Sequence, residues 1–108
     1  MKYRDYIRSK EWQQVKKRYR ASNLPQDCHV CGTRPVEMHH KTYKRLGSER
    51  LTDLLPLCRT CHQLVHDFCN HPRSAKGMTL WEAARRVRKY WKKHGRLPDL
   101  DGRFGLRQ

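Results

Sequence analysis

The chain has 108 residues, of which 25 are lysine or arginine and 10 are aspartate or glutamate, so its formal net charge is +15 at pH 7. A chain of this length forms one domain, and with 32% charged residues its apolar core must be thin, so a metal, a disulfide framework or a partner chain is expected to stabilise it. No run of 18 apolar residues predicts a membrane span, and the opening residues lack the apolar stretch of a secretion signal. We therefore expect a cytoplasmic protein with reduced cysteines, no membrane contact and a polyanionic partner.

Charge divides the single predicted domain, 1–108, into three parts. The N-terminal arm, 1–27, holds 8 basic and 3 acidic residues, and we expect it to be helical. The middle part, 28–70, holds 6 basic and 4 acidic residues together with every cysteine. The last part, 71–108, holds 11 basic and 3 acidic residues and is predicted to be a basic helix followed by a loose tail. The charge pattern therefore predicts a central part that holds the cysteines, between two basic flanks.

Apolar spacing predicts one helix in each flank. The first helix lies near 10–22, with Ser9 as its N-cap. The second lies near 80–94, with Thr79 as the N-cap and Gly95 as the C-terminal stop. Its apolar stripe consists of Trp81, Ala84, Val87 and Trp91.

Two Cys-x-x-Cys pairs, separated by 26 residues, predict a structural zinc site: Cys28, Cys31, Cys58 and Cys61. Structural zinc contributes about 10–16 kcal/mol of binding free energy, more than so thin a core is expected to supply. The alternative is a redox or disulfide pair, which a reducing compartment disfavours. We expect no metal role for Cys69, a small apolar side chain, or for His29, a solvated one.

Four histidines stand close to the cysteine pairs: His39, His40, His62 and His66. The first two lie in a segment, 36–43, whose β-branched and aromatic residues predict a strand. If 59–70 is helical, His62 and His66 are i and i+4 neighbours that can hold one ion together. The alternatives are a solvated helix face or histidines that complete the zinc site, which four cysteines make unnecessary.

The order of these motifs resembles that of the HNH endonucleases, in their cysteine-containing branch. The resemblance covers residues 3–66 and rests on Cys-x-x-Cys-Gly, His-His-x-x-Tyr, Asp-Leu-x-x-Leu-Cys and Cys-x-x-Cys-His-x-x-x-His. It implies a small, zinc-stabilised α+β fold with a ββα-metal, treble-clef-like core flanked by N- and C-terminal helices. It also implies hydrolysis of DNA phosphodiester bonds, by nicking or by cleavage of both strands, which leaves 5′-phosphate and 3′-hydroxyl ends.

The same resemblance assigns the site residues. His40 matches the general base, and His39 matches the adjacent histidine on the metal side. The catalytic ion, which is Mg²⁺, Mn²⁺, Ni²⁺ or Zn²⁺, would be held by His39, His62 and His66. Asp53 stands where the family usually has asparagine, and it would either pair with His40 or bind the metal. Because adjacent strand residues point to opposite faces, His39 and His40 need a bulge or twist to share a site.

We expect duplex DNA as the partner of a protein for which a monomer is favoured. The predicted DNA-binding residues are Lys16, Lys17, Arg18, Arg20, Lys41, Lys44, Arg45, Arg85, Arg86, Lys89 and Lys93. A zinc-ribbon module that binds nucleic acid without catalysis is the main alternative, but it does not explain the spacing of the histidines. A protein-interaction zinc finger is a weaker alternative, because protein interfaces are not usually of one charge sign.

Overall fold

A computed structural model of the chain describes residues 3–71, 74 and 76–99. Within that part the fold is a small α+β arrangement, which confirms the predicted class at this level. Its elements, in chain order, are α1 (Tyr3–Tyr6), α2 (Lys10–Arg20), β1 (Glu37–His40), a 3-10 turn (Leu51–Asp53), β2 (Leu54–Leu57), α3 (Arg59–Cys69) and α4 (Leu80–His94). The end of the predicted basic tail, 100–108, lies outside the described residues.

The helices predicted in the two flanks are confirmed, together with their capping residues. The hydroxyl of Ser9 accepts a hydrogen bond from the Trp12 N–H at 3.1 Å, so α2 begins where the sequence predicted. Thr79 caps α4 in the same way, accepting from the Glu82 N–H at 3.1 Å. Gly95 ends α4 in the left-handed conformation, with φ of 68°, which glycine adopts without steric cost.

β1 and β2 pair antiparallel with Glu37 opposite Leu57 and His40 opposite Leu54. The four paired residues of β1 are fewer than the eight of the predicted strand segment. Because side chains alternate along a regularly paired strand, Glu37 and His39 lie on one face of the sheet and Met38 and His40 on the other. The fold therefore separates the two adjacent histidines.

Each face of the sheet covers its own apolar cluster. One cluster packs the sheet against α3 and α4 and includes Leu55, Leu57, Val65, Phe68, Ala84 and Val87. The other packs the opposite face against α1 and α2 and includes Tyr6, Trp12, Val15, Tyr19, Met38 and Leu54. β2 contributes to both clusters and is buried along its whole length. Among the described helices, none has the length and apolar character that crossing a membrane requires.

Candidate metal sites

The four cysteines of the two Cys-x-x-Cys pairs come together in space. All four sulfur atoms lie within 4.8 Å of one another. The Cys31 sulfur is 3.7 Å from that of Cys58 and 3.6 Å from that of Cys61. A tetrahedral zinc ion with Zn–S bonds of ~2.3 Å separates its sulfur ligands by about 3.8 Å. The cluster therefore has the size and chemistry of a tetrathiolate zinc site.

Local backbone structure holds the two cysteine pairs in place. Gly32 turns the chain after the first pair with φ of 76°, and its N–H donates to the Cys28 carbonyl at 2.9 Å. The N–H of His29 donates to the Pro56 carbonyl at 2.8 Å, which ties this turn to β2. The second pair follows β2 directly, with Cys58 as the N-cap of α3. The cysteine cluster thus joins the hairpin to the start of α3.

Without a cation, four clustered sulfurs do not all ionise. The hydrogen bond to the Cys28 sulfur, together with burial, raises the pKa of the Cys61 thiol. A bound dication reverses this balance, because its charge stabilises the thiolates. The closed set of four soft ligands therefore fits a metal such as zinc.

A second group of potential ligands lies between β1 and the first turn of α3. Glu37, His39 and His62 each offer one atom within 4.8 Å of the others. A carboxylate oxygen of Glu37 is 4.0 Å from Nε2 of His39 and 3.8 Å from Nδ1 of His62. The two imidazole rings are stacked with their centroids 3.8 Å apart. Ligand bonds of ~2.0–2.2 Å put tetrahedral ligand atoms about 3.4 Å apart, so closing this group on one ion needs a contraction and a tilt that turns the two ring planes toward the ion.

Both histidines of this second group are held in the neutral form that binds metal. Burial, with the neighbouring His62, lowers the pKa of His39 to about 4. Burial also lowers the pKa of His62, although the Glu37 carboxylate opposes that shift. Nε2 of His39 is buried and has no hydrogen-bond partner among the described residues. An unpartnered imidazole nitrogen beside a carboxylate is the chemistry expected of a divalent-metal ligand.

His66, the third ligand implied by the resemblance, lies one turn further along α3 and is exposed. Its ring centroid is 6.1 Å from that of His62. The Asn70 side-chain amide donates to Nδ1 of His66 at 3.0 Å, so the neutral ring carries its proton on Nε2. In this arrangement His66 presents a donor, not a lone pair, toward its open side. The structure thus places Glu37, not His66, beside His39 and His62.

The side chain of His40 lies on the opposite face of the sheet and is fully buried. Its Nε2 is 2.8 Å from a carboxylate oxygen of Glu49, and its ring stacks on Trp12 at 4.5 Å. The Tyr6 hydroxyl donates to the same carboxylate at 2.6 Å. Although burial alone would raise it, these hydrogen bonds hold the pKa of Glu49 below its usual value. His40 therefore belongs to a buried network and not to the Glu37–His39–His62 group.

Asp53 is held by a different set of partners. Its carboxylate accepts from Nε of Arg45 at 2.8 Å and also from Nη2 of that guanidinium. It further accepts from the Arg50 N–H at 3.0 Å, which closes the 3-10 turn before β2. These hydrogen bonds, with Arg45 the largest contributor, lower the pKa of Asp53. The carboxylate beside His40 is that of Glu49, and Asp53 stabilises the turn that leads into β2.

The basic residues predicted to bind DNA are spread over several surfaces. On α2, Lys17, Arg18 and Arg20 are exposed, and Lys16 lies 5.7 Å from the Trp12 ring. Lys44 is exposed in the loop after β1. Lys41 lies 4.4 Å from the Trp81 ring centroid, and Arg85 lies 5.8 Å from it. Lys89 and Lys93 are exposed on α4, whereas Arg86 donates to Glu82 at 3.0 Å. Arg45 and Arg86 are thus engaged with carboxylates of the chain itself.

Sequence reasoning missed Glu37 and Glu49, and it placed His29 wrongly. Glu37 stands two positions before His39, and the alternation of a strand was a sufficient signal to place both on one face. Glu49 gave no comparable signal, because its pairing with His40 depends on how the intervening loop folds. His29, expected in solvent, instead packs against Trp81 with ring centroids 5.2 Å apart.

Comparisons of the chain with family models, with curated proteins and with solved structures find no match.

Proposed function

We propose that the chain is a metal-dependent DNA endonuclease of the HNH type with a ββα-metal core. The observation that carries this proposal is the convergence of Glu37, His39 and His62, two of them buried in part, at the junction of the hairpin and α3. The four-cysteine cluster at the start of α3 fixes that junction. The charge of +15 suits a polyphosphate substrate.

The three converging side chains would hold the catalytic ion. When bound, a divalent ion supplies positive charge that stabilises the pentacovalent phosphate and the leaving 3′ oxygen. His39 and His62 serve as neutral ligands, and Glu37 adds a hard anionic oxygen that suits Mg²⁺ and Mn²⁺ as well as Zn²⁺ and Ni²⁺. Nε2 of His66 would donate a hydrogen bond to a phosphate oxygen beside this group.

His40 remains the proposed proton acceptor, with Glu49 as the carboxylate that orients it. When Nε2 carries the proton bonded to Glu49, the neutral ring keeps its lone pair on Nδ1. Proton transfer from water to Nδ1 would accompany attack of the water oxygen on phosphorus and departure of the 3′ oxygen. Because the ring is buried against Trp12 on the face of the sheet opposite the three metal ligands, this role requires β1 to rearrange around His40 when DNA binds. Catalytic hydrogen bonds often form only in the substrate complex.

A plasmid-cleavage assay tests the proposal directly. Purified protein incubated with supercoiled plasmid should produce nicked or linear DNA when Mg²⁺, Mn²⁺, Ni²⁺ or Zn²⁺ is added, and not without added metal. The products should carry 5′-phosphate ends, measured by end-labelling before and after phosphatase treatment. Binding of the plasmid without cleavage in any of the four metals would contradict the nuclease and favour the non-catalytic zinc-ribbon module.

Replacement of His40 should separate a catalytic role from a structural one. We expect His40→Ala to lower cleavage per folded molecule by about 10²–10⁴-fold, the usual contribution of a general base. Tyr6→Phe is the matched control, because it removes one hydrogen bond to Glu49, leaves that from the Gly47 N–H, and keeps His40 in place. It should lower the free energy of unfolding by about 1–3 kcal/mol through the lost hydrogen bond to a buried charge, with near-normal cleavage. If His40→Ala cleaves at the same near-normal rate as Tyr6→Phe, at matched folded concentration, then His40 is a structural residue only.

A further inference from the structure

A basic pocket lies between α4 and the first cysteine pair, and two of its residues, Arg85 and Lys89, are among the predicted DNA-binding residues. It encloses about 380 Å³. The residues that line it are basic or aromatic: His29, Trp81, Arg85, Arg88, Lys89 and Lys92. No carboxylate is among these lining residues, so the pocket is suited to an anion.

The four cations of the pocket lie on one face of α4, since positions 85, 88, 89 and 92 recur at helical spacing. Within the described residues none of them forms an ion pair with a carboxylate. Arg86, which lies off this face, is paired with Glu82. Like charges held close together repel each other, and no described carboxylate is paired with this set. An anion from outside the chain would relieve that repulsion.

The surroundings of Trp81 and His29 favour the phosphate part of a nucleotide as the ligand of the pocket. Lys41 lies over the Trp81 ring and Arg85 lies near it, so the indole already packs against cations. A cation over this ring competes with a base for the same stacking surface. The His29 ring packs against Trp81 with ring centroids 5.2 Å apart and lines the pocket beside the four cations. The pocket therefore offers donors and charge, which match a phosphate.

We propose that this pocket binds consecutive phosphates of one nucleic-acid strand and does not read the bases. The proposal rests on the proposed function only in taking nucleic acid as the ligand. At a rise of ~1.5 Å per residue, Arg85 and Lys92 are about 10 Å apart along the axis of α4. Phosphates of one strand of duplex DNA rise by ~3.4 Å each along its axis, so this row spans two or three of them. A free phosphate would fill only part of the row.

A pair of charge-matched double variants tests the pocket. In Arg88→Gln/Lys92→Gln two pocket cations are lost, whereas Arg8→Gln/Lys10→Gln removes the same charge from two exposed positions at the start of α2, which are not among the predicted DNA-binding residues. Binding to two duplexes of unrelated sequence is measured by fluorescence anisotropy over a range of salt concentrations, with no divalent metal added. The pocket variant should bind both duplexes at least about tenfold more weakly at 0.1 M salt. Its slope of log K against log salt should be shallower by about 1.8, since each lost phosphate contact contributes ~0.9.

The control double variant should lose less than about threefold in affinity, with little change in slope. Equal losses in the two double variants would overturn the proposal, because they would report a general effect of charge. Competition by inorganic phosphate and by a mononucleotide separates the sources of the ligand. Both should displace the duplex only at millimolar concentration. Displacement at micromolar concentration would overturn the proposal and assign the pocket to a free nucleotide or to free phosphate, whichever competitor achieved it.

Because no metal is added, the result does not depend on cleavage. If wild-type protein cleaves plasmid and the pocket variant binds DNA normally, the pocket inference fails and the nuclease proposal stands. If the pocket variant loses binding and wild-type protein cleaves nothing in any metal, the nuclease proposal fails and the pocket inference stands.

Discussion

His62→Ala should abolish plasmid cleavage, reducing it by at least about 10²-fold at a metal concentration that saturates the wild-type protein. A catalytic ion stabilises the transition state by several kcal/mol, and each ~1.4 kcal/mol corresponds to a tenfold change in rate. The His62 side chain is 32% exposed, so its removal leaves little unfilled space in the core. The expected loss is therefore one of metal binding and chemistry, with the fold retained.

Gln63→Ala is the matched control, because Gln63 is the exposed neighbour of His62 on α3 and its side-chain amide donates to Asp67 on the same helix. Divalent-metal binding is followed by isothermal titration calorimetry on protein whose cysteine cluster is already loaded with zinc. His62→Ala should lose the additional binding event and Gln63→Ala should keep it. His66→Ala gives a further comparison, since the Asn70 contact predicts a smaller effect on metal affinity than on cleavage. Wild-type metal affinity in His62→Ala would remove His62 from the metal site.

The helices were predictable because their signals are local. Ser9, Thr79 and Gly95 act on the backbone within one turn of their own positions, and the structure confirms all three. The cysteine pairs were predictable for a related reason, since each Cys-x-x-Cys turn brings two sulfurs together by itself. The joining of the two pairs needed only β2 to lead directly into α3, as it does at Cys58.

The surroundings of the histidines were only partly predictable. Strand alternation foretold that His39 and His40 would point apart unless a bulge intervened, and the pairing of β1 with β2 is regular. Which carboxylate pairs with His40 depends on how the segment between β1 and β2 folds. Arg45 and the backbone of the 3-10 turn form hydrogen bonds with the Asp53 carboxylate. Glu49 therefore occupies the buried position beside His40. Such a choice depends on tertiary packing and leaves no periodic signal in the sequence.

The second large effect is expected at the cysteine cluster, where Cys58→Ser should unfold the domain. Serine retains the capping ability of position 58 at the start of α3, so the substitution removes a metal ligand and little else.

Wild-type protein purified under reducing conditions should contain one zinc per chain by elemental analysis, and Cys58→Ser should contain much less. Structural zinc contributes about 10–16 kcal/mol, which is as large as the ~5–15 kcal/mol that separates folded from unfolded domains. Circular dichroism of Cys58→Ser at 25 °C should therefore show little cooperative thermal transition. Cys69→Ser is the control, because Cys69 lies outside the cluster and serine can donate to the Met78 carbonyl as the thiol does. The contrary result is a fully cooperative thermal transition, with the same midpoint, in both zinc-free wild-type protein and Cys58→Ser. It would show that packing alone holds the hairpin on α3.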